Sequence, residues 1–211
     1  GNTAQTLGGG ISSVTLTGSL TVTNSTISGN VANGNGGGIY AGGSTGVATV
    51  TNTTITNNSN GFFRNNGSVT LRNTIIAANQ NNAVQPDIVS AANPGEYSST
   101  GYNLIGNPGS IVLSGPGDRL GTSGAPLDPR LGPLQNNGGP TQTHTLLAGS
   151  PAIDGGNSSG SFNDQRGPGF LRVIDLLVPN APGGDGADIG ALELQSEPPP
   201  ATVSISGVVR R

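Results

Sequence analysis

One block of sequence returns along the chain at nearly constant spacing, and that repetition constrains the fold more than any other feature. Thr21-Val22-Thr23-Asn24-Ser25-Thr26-Ile27-Ser28-Gly29-Asn30 recurs 28 residues later as Thr49-Val50-Thr51-Asn52-Thr53-Thr54-Ile55-Thr56-Asn57-Asn58. It recurs again, 21 residues further on, as Thr70-Leu71-Arg72-Asn73-Thr74-Ile75-Ile76-Ala77-Ala78-Asn79. Gly8-Gly9-Gly10-Ile11 returns as Gly36-Gly37-Gly38-Ile39, also at an offset of 28. A period of this size marks a small unit that buries its apolar face only against its neighbours. A loop absorbs the seven-residue difference between the two spacings.

Within each unit the apolar residues alternate with small polar ones. Val14 and Leu16, then Leu20 and Val22, are each two apart. That is the period of a half-buried strand. The parity changes between Val22 and Ile27, so the chain bends near Asn24. Asn tolerates left-handed backbone and bonds its own turn. The repeat then predicts two Asn ladders, Asn24 over Asn52 over Asn73 at one corner and Asn30 over Asn58 over Asn79 at another. Stacked Asn side chains hydrogen-bond along such a column. Each unit is one coil of short strands, with coils ~4.8 Å apart. The expected fold is all-β, a parallel β-helix whose coils touch only their neighbours. No segment carries the capped 3.6-residue stripe of a helix bundle.

Composition removes several functions. The 211 residues contain no Cys, so there is no disulfide framework, thiolate metal site or thiol nucleophile. All eight basic residues are Arg, and without Lys there is neither a P-loop nor a Schiff base. A net charge of −3 argues against nucleic acid as a partner, because phosphate needs a basic face. No apolar run approaches the ~18 residues of a membrane-spanning helix. The chain starts at Gly1 and reads as a piece of a larger product. Charge is also unevenly spread: residues 1–86 hold only Arg64 and Arg72 and no acid. An edge with so few charges invites pairing with another chain.

Three regions follow. Residues 1–115 hold the β-helix coils; 116–195, with Gly115 to Gly160 rich in Gly and Pro and reading as irregular, are expected to continue as the C-terminal part of the solenoid; 196–211 form a Pro linker and a terminal strand. Residues 101–194 carry a set of ordered motifs. They are Gly101-Tyr102-Asn103-Leu104-Ile105-Gly106, Asp128-Pro129-Arg130-Leu131-Gly132-Pro133-Leu134 and Asn136-Asn137-Gly138-Gly139-Pro140-Thr141-Gln142-Thr143-His144-Thr145-Leu146-Leu147. Gly149-Ser150-Pro151-Ala152-Ile153-Asp154, Asp164-Gln165-Arg166-Gly167 and Ala187-Asp188-Ile189-Gly190-Ala191-Leu192-Glu193 complete it. In this order residues 101–194 resemble the choice-of-anchor Q domain found at the end of pectate-lyase-like β-helices. The resemblance implies a large secreted surface protein, extracellular or on the cell surface, with an irregular C-terminal cap and no catalytic residue. Right-handedness comes from the resemblance and from the crossover rule.

Chemistry candidates are few. A hydrolase of this fold needs carboxylates converging within ~5–10 Å. Asp87, Asp118 and Asp128 share no coil offset, and no acid precedes them. Gly183-Gly184-Asp185-Gly186-Ala187-Asp188 fits the start of a calcium-roll repeat, which makes Asp185 and Asp188 the calcium candidates, but there is no tandem copy. Arg166 has Asp154, Asp164 and Asp188 as partners for a partly buried, bidentate structural ion pair. His144, the only histidine, lies beside no nucleophile motif and reads as a packing or hydrogen-bonding residue. No cofactor is called for. Tyr40, Phe62, Phe63, Tyr97 and Tyr102 share no coil offset, which weakens a stacked-aromatic sugar site. After the stiff Glu197-Pro198-Pro199-Pro200, Thr202-Val203-Ser204-Ile205 alternates as one short strand with no domain behind it. Such a strand needs an edge to pair with, its own or a neighbour's. The expected function is therefore non-enzymatic and structural, with other copies of the chain as partners and head-to-tail assembly through the terminal strand. A carbohydrate-binding or adhesive module, with surface glycans as partners, is the alternative, and a polysaccharide lyase or hydrolase comes third.

Overall fold

The structure is a computed structural model and describes residues 1–43, 45–79, 86–91 and 96–196. The chain is almost entirely β and loop, and its strands form a curled parallel sheet. β1 (Thr3–Ala4), β2 (Ile11–Ser13) and β3 (Ser19–Ser28) make the first layer. β4 (Val31–Ala32), β5 (Ile39–Ala41) and β6 (Val47–Thr56) make the second, each paired in parallel with its counterpart 28 residues earlier. β7 (Phe62–Arg64), β8 (Ser68–Arg72) and β9 (Ile75–Ile76) follow. β10 (Ile88–Ser90), β11 (Tyr97–Ser99) and β12 (Leu104–Ile105) add another layer, and β13 (Arg119–Leu120) pairs with β12. The register therefore steps from Leu20 to Ala48, Val69 and Tyr97, and from Ile27 to Ile55 and Ile76 and on to Ile105.

Alternation decides what is inside. Ile39, Phe62 and Ile88 from one set of strands meet Ala48, Val50, Val69, Leu71, Ile55, Ile76 and Ile105 from the other in a single core. The corner that lets one strand serve two walls is Asn at positive φ: 46° at Asn24, 49° at Asn52 and 46° at Asn73. For a non-glycine residue this conformation is cheapest in Asn and Asp, whose short side chains bond locally. Ile75 and Ile76 are consecutive and both fully buried, as are Leu104 and Ile105. A strand that is apolar on both sides is covered on both faces. Here the outer cover is the C-terminal segment: Ile75 and Leu104 pack with Leu146, Ala152, Ile153, Ile189, Leu192 and Leu194 in a second core.

Two expectations change. Parallel pairing ends at β13, and residues 121–194 fold back along the side of the stack instead of extending it. The irregular stretch also contains an antiparallel pair, β14 (Leu131–Gln135) and β15 (Thr143–Leu146). Pro133 inside β14 and the Gly- and Pro-rich turn 136–142 hide it from a reading of alternation. Pro is tolerated there because a two-stranded ladder leaves one side of each strand unbonded.

Candidate functional site

Three features concentrate the chemistry of this chain: an amide ladder through the stack, a buried charge cluster that clamps the cover, and an unpaired strand edge. The ladder starts at Asn2. Its backbone N–H and Nδ2 both donate to Asn30 Oδ1, and Asn30 does the same to Asn58 Oδ1 at 2.9 Å. Asn58 repeats the pattern on Asn79, with its Nδ2 2.8 Å from Asn79 Oδ1. Asn79 passes both bonds to Asp87 Oδ1. Asp87 then accepts the Asn107 N–H on Oδ2 at 2.7 Å. Asn30, Asn58 and Asn79 each accept from the layer before and donate to the layer after. The column must close on a group that only accepts, and a carboxylate is such a group. A second column behaves alike. Thr74 N–H donates to Asn103 Oδ1, Asn103 donates through N–H and Nδ2 to Asp118 Oδ1, and Asp118 Oδ2 accepts from Gly115. Asp87, Asn103 and Asp118 escape a reading of the repeat because they fall off its spacing, whereas Asn2 keeps the 28-residue offset to Asn30. Burial pushes the Asp87 carboxyl upward, while its bonds from Asn79 and Asn107 pull it back.

The corner column departs from expectation. Asn73 Nδ2 reaches Asn52 Oδ1 at 2.9 Å, but Asn52 Nδ2 turns to Ser161 Oγ and Asn24 Nδ2 to the Asn163 carbonyl. The folded-back segment lies over this corner and takes the donors that would have carried the stack from Asn52 to Asn24. Arg72 fastens the same segment through Ser159 Oγ and Asn157 Oδ1.

Beneath that cover lie four buried carboxylates: Asp154, Asp164, Asp188 and Glu193, none more than 2% exposed. Arg166 is bidentate to Asp164, with Nη2–Oδ2 at 2.6 Å. Its remaining donors go to the Asn137 and Glu193 carbonyls, and its guanidinium stacks 4.0 Å from the Phe170 ring centre. Asp154 and Asp188, the other two candidate partners, do not bond Arg166. Asp188 takes the N–H groups of Asp154 and Leu194, and Glu193 takes those of Ile174 and Asp188. Arg172, fully buried, donates to the Gly190 carbonyl and sits in the field of Glu193, Asp164, Asp188 and Asp185. Burial raises Asp188 to about 7, with the Asp154 charge adding to the rise. Burial raises Glu193 to about 9, with the Asp188 charge adding to the rise. Of the calcium candidates, Asp188 is enclosed in this cluster and Asp185 binds the Ser158 N–H and Oγ at 3.0 and 2.6 Å. Among the described residues no group of three or more His, Asp or Glu is placed to hold a metal ion.

His144 bridges β15 to the stack, with Nε2 2.8 Å from Ser28 Oγ and Nδ1 2.7 Å from the Gly132 carbonyl oxygen. Arg64 points into the stack, fully buried, bonded to the Gly67 carbonyl, Ser90 Oγ and Glu96. A cleft of ≈ 430 Å³ runs between β15 and residues 192–196, floored by Leu146, Leu192 and Leu194. Arg166 lines it, its Nε and Nη2 held by Asp164 and the Glu193 carbonyl and its Nη1 by the Asn137 carbonyl. Tyr40 and Phe63, which share no 28- or 21-residue offset, are nevertheless register neighbours and stack at 5.6 Å and 6°. Tyr40 is only 5% exposed and Phe63 is half-buried, so the pair packs within the sheet and presents at most one ring face. The terminal strand Thr202-Val203-Ser204-Ile205 lies outside the described residues.

The third feature is β3 itself. It bonds β6 along one side, and among the described residues no strand pairs with its other side. Comparison of the chain with protein-family models, with curated proteins and with solved structures found no match.

Proposed function

We propose that this chain is a non-enzymatic structural building block of an extracellular or surface-attached protein, and that its fold is a right-handed parallel β-helix. The observation that carries the reading is the parallel register of successive repeats around one apolar core, threaded by the Asn30–Asn58–Asn79 ladder, in a stretch with no acid before Asp87. A strand edge so poor in charge is a template for one more strand. Self-association head-to-tail uses it, with the terminal strand as donor.

The parallel register between successive repeats supports the β-helix, and the single sense of crossover connections supports right-handedness. The resemblance of residues 101–194 supports export. The carboxylates that a polysaccharide-cleaving reading would need are spent inside the cover on backbone N–H groups and Arg166. The burial of Tyr40 beneath the half-buried Phe63 lowers the glycan-binding alternative.

The test is electron microscopy of the purified chain beside a chain ending at Gln195. Filaments from the first and single particles from the second support a polymer subunit. Single particles from both remove the assembly reading.

A further inference from the structure

An Asn followed by Gly carries its own electrophile and nucleophile. The Gly nitrogen attacks the Asn side-chain carbonyl carbon, a succinimide ring closes, and glycine has no Cβ to hinder the approach. The chain holds five such pairs: Asn33-Gly34, Asn35-Gly36, Asn60-Gly61, Asn66-Gly67 and Asn137-Gly138. The dipeptide alone ranks them equally, and the fold separates them. Four are held. Asn33 Nδ2 donates to Gln5 Oε1, and Gly34 N–H donates to the Thr6 carbonyl at 2.7 Å. The carbonyls of Asn35 and Gly36 accept from Gly8 and Gly9, and Gly36 is buried. The carbonyls of Asn60 and Gly61 accept from Gly38 and Ile39 inside the stack, and Gly61 is buried. Asn137 Nδ2 donates to the Thr143 carbonyl and Oγ1, while Gly138 N–H donates to Asn136 Oδ1 at 3.0 Å.

Asn66 differs. It is exposed in the turn between β7 and β8, and among the described residues neither its side chain nor the Gly67 N–H has a hydrogen-bond partner. The anchors lie on either side. Asn65 N–H donates to the Ala41 carbonyl at 2.8 Å, Ser68 N–H donates to the Gly46 carbonyl at 3.0 Å, and the Gly67 carbonyl accepts from Arg64. Gly67 itself sits at φ +78°, a left-handed conformation that glycine adopts without strain. The Asn66 carboxamide can therefore swing over the Gly67 nitrogen without breaking a hydrogen bond. We propose that Asn66 is a site of spontaneous, one-way covalent modification, with water as the only co-reactant. The bond from Gly67 nitrogen to Asn66 Cγ forms, the Cγ–Nδ2 bond breaks, and the Gly67 proton leaves with the amide nitrogen as ammonia. Water then opens the ring at either carbonyl, leaving aspartate or isoaspartate at position 66. The product adds a negative charge to a stretch that has no acid before Asp87. Isoaspartate also inserts one more main-chain carbon between the anchors at Asn65 and Ser68.

The test is incubation of the full chain in mildly alkaline buffer, followed by proteolysis and mass spectrometry of the Asn-Gly peptides. Asn66 is expected to convert about ten-fold faster than each of the other four, because those must first open locally. In concentrated urea all five are released, and their rates are expected to converge. Asn66→Gln needs a larger ring, so it is expected to remove the leading conversion. It leaves thermal unfolding unchanged, since the fold does not grip this side chain. A native chain in which Asn33, Asn35, Asn60 or Asn137 converts as fast as Asn66 overturns the proposal. So does a lead for Asn66 that persists undiminished in urea, which would place the cause in the local sequence and not in the fold.

Discussion

At the scale of single residues, the ladder shows why a chain poor in apolar side chains still holds one conformation. Asn58 is 1% exposed; its Nδ2 donates to Asn79 Oδ1 and to the Ile27 and Thr56 carbonyls, and its Oδ1 accepts twice from Asn30. Removing the amide strands several buried partners at once, and each unsatisfied group costs about 1–3 kcal/mol. Asn58→Ala is therefore expected to lose at least about 3 kcal/mol in chemical denaturation, more than Asn33→Ala, whose single bond to Gln5 is exposed. The carboxylates of the cover make a second prediction, about pH. Asp188 and Glu193 are raised to about 7 and about 9, with burial the largest cause. Unfolded, such groups titrate near 4. Between those limits the folded chain binds more protons than the unfolded one, so stability falls as pH rises. The contribution is fully present below about pH 4 and is lost by about pH 9. Asp154, Asp164, Asp185 and Arg172 surround the pair and shape the slope. Thermal midpoints measured from pH 5 to pH 9 are expected to decline, and Glu193→Gln to flatten the decline. A rising midpoint in the unsubstituted chain contradicts the assignment.

At the scale of elements, the stack was legible and its cover was not. The alternation at Leu20, Val22, Val50 and Leu71, the turn at Asn24, Asn52 and Asn73, and the Asn30–Asn58–Asn79 column all lie inside a three-copy repeat, where each copy checks the others. Asn24 kept its turn but lost its ladder to Asn163, a residue 139 positions away. No local pattern announces such a contact. Arg172 and Glu193 were equally silent: each is a lone charge in irregular chain, and only tertiary folding buries them together. The β14–β15 pair was masked by Pro133, which reads as a strand breaker until one side of the strand is known to be free. The cover's seat on the stack is narrow. Gly190 has φ +106°, and a Cβ there would lie 2.7 Å from Thr54 Oγ1 and 2.8 Å from Ile75 Cδ1. Its N–H bonds the Asn73 carbonyl, and Ala191 N–H bonds Thr54 Oγ1. Gly190→Ala combines backbone strain of about 1–3 kcal/mol with a steric lift of the segment from β6 and β9. Faster hydrogen exchange confined to residues 75–77, 104–106 and 187–194 is the expected signature, with the amides of β5 and β7 unchanged. Uniform loss across the stack would mean that cover and stack unfold as one unit.

At the scale of the whole molecule, charge separates the two halves of the problem. All the acids and six of the eight Arg lie after residue 86, and much of that charge is neutralised within the cover, by Arg166 against Asp164 and by Arg172 among Asp188 and Glu193. Before it the stack holds Arg64, enclosed and bonded to Glu96, and Arg72, bonded to Asn157 and Ser159. In the proposed self-association, a partner would therefore meet the stack through backbone hydrogen bonds and apolar contact. Long-range attraction has little to work with. This separates strand addition from the other way an exposed surface recruits a copy of itself. Association steered by charge falls steeply with salt, because exposed charges are screened beyond about 10 Å at 0.1 M and about 3 Å at 1 M. Burial of apolar side chains between stacked strands is not weakened by screening. The polymer fraction measured by sedimentation is expected to change by less than about two-fold between 0.05 and 1 M sodium chloride. The same measurement in sodium sulfate is expected to rise, since excluded salts strengthen apolar burial. A ten-fold fall in chloride would instead place the contact on the charged half of the chain, at Asp128, Arg130 or Asp175, and away from the uncharged stack.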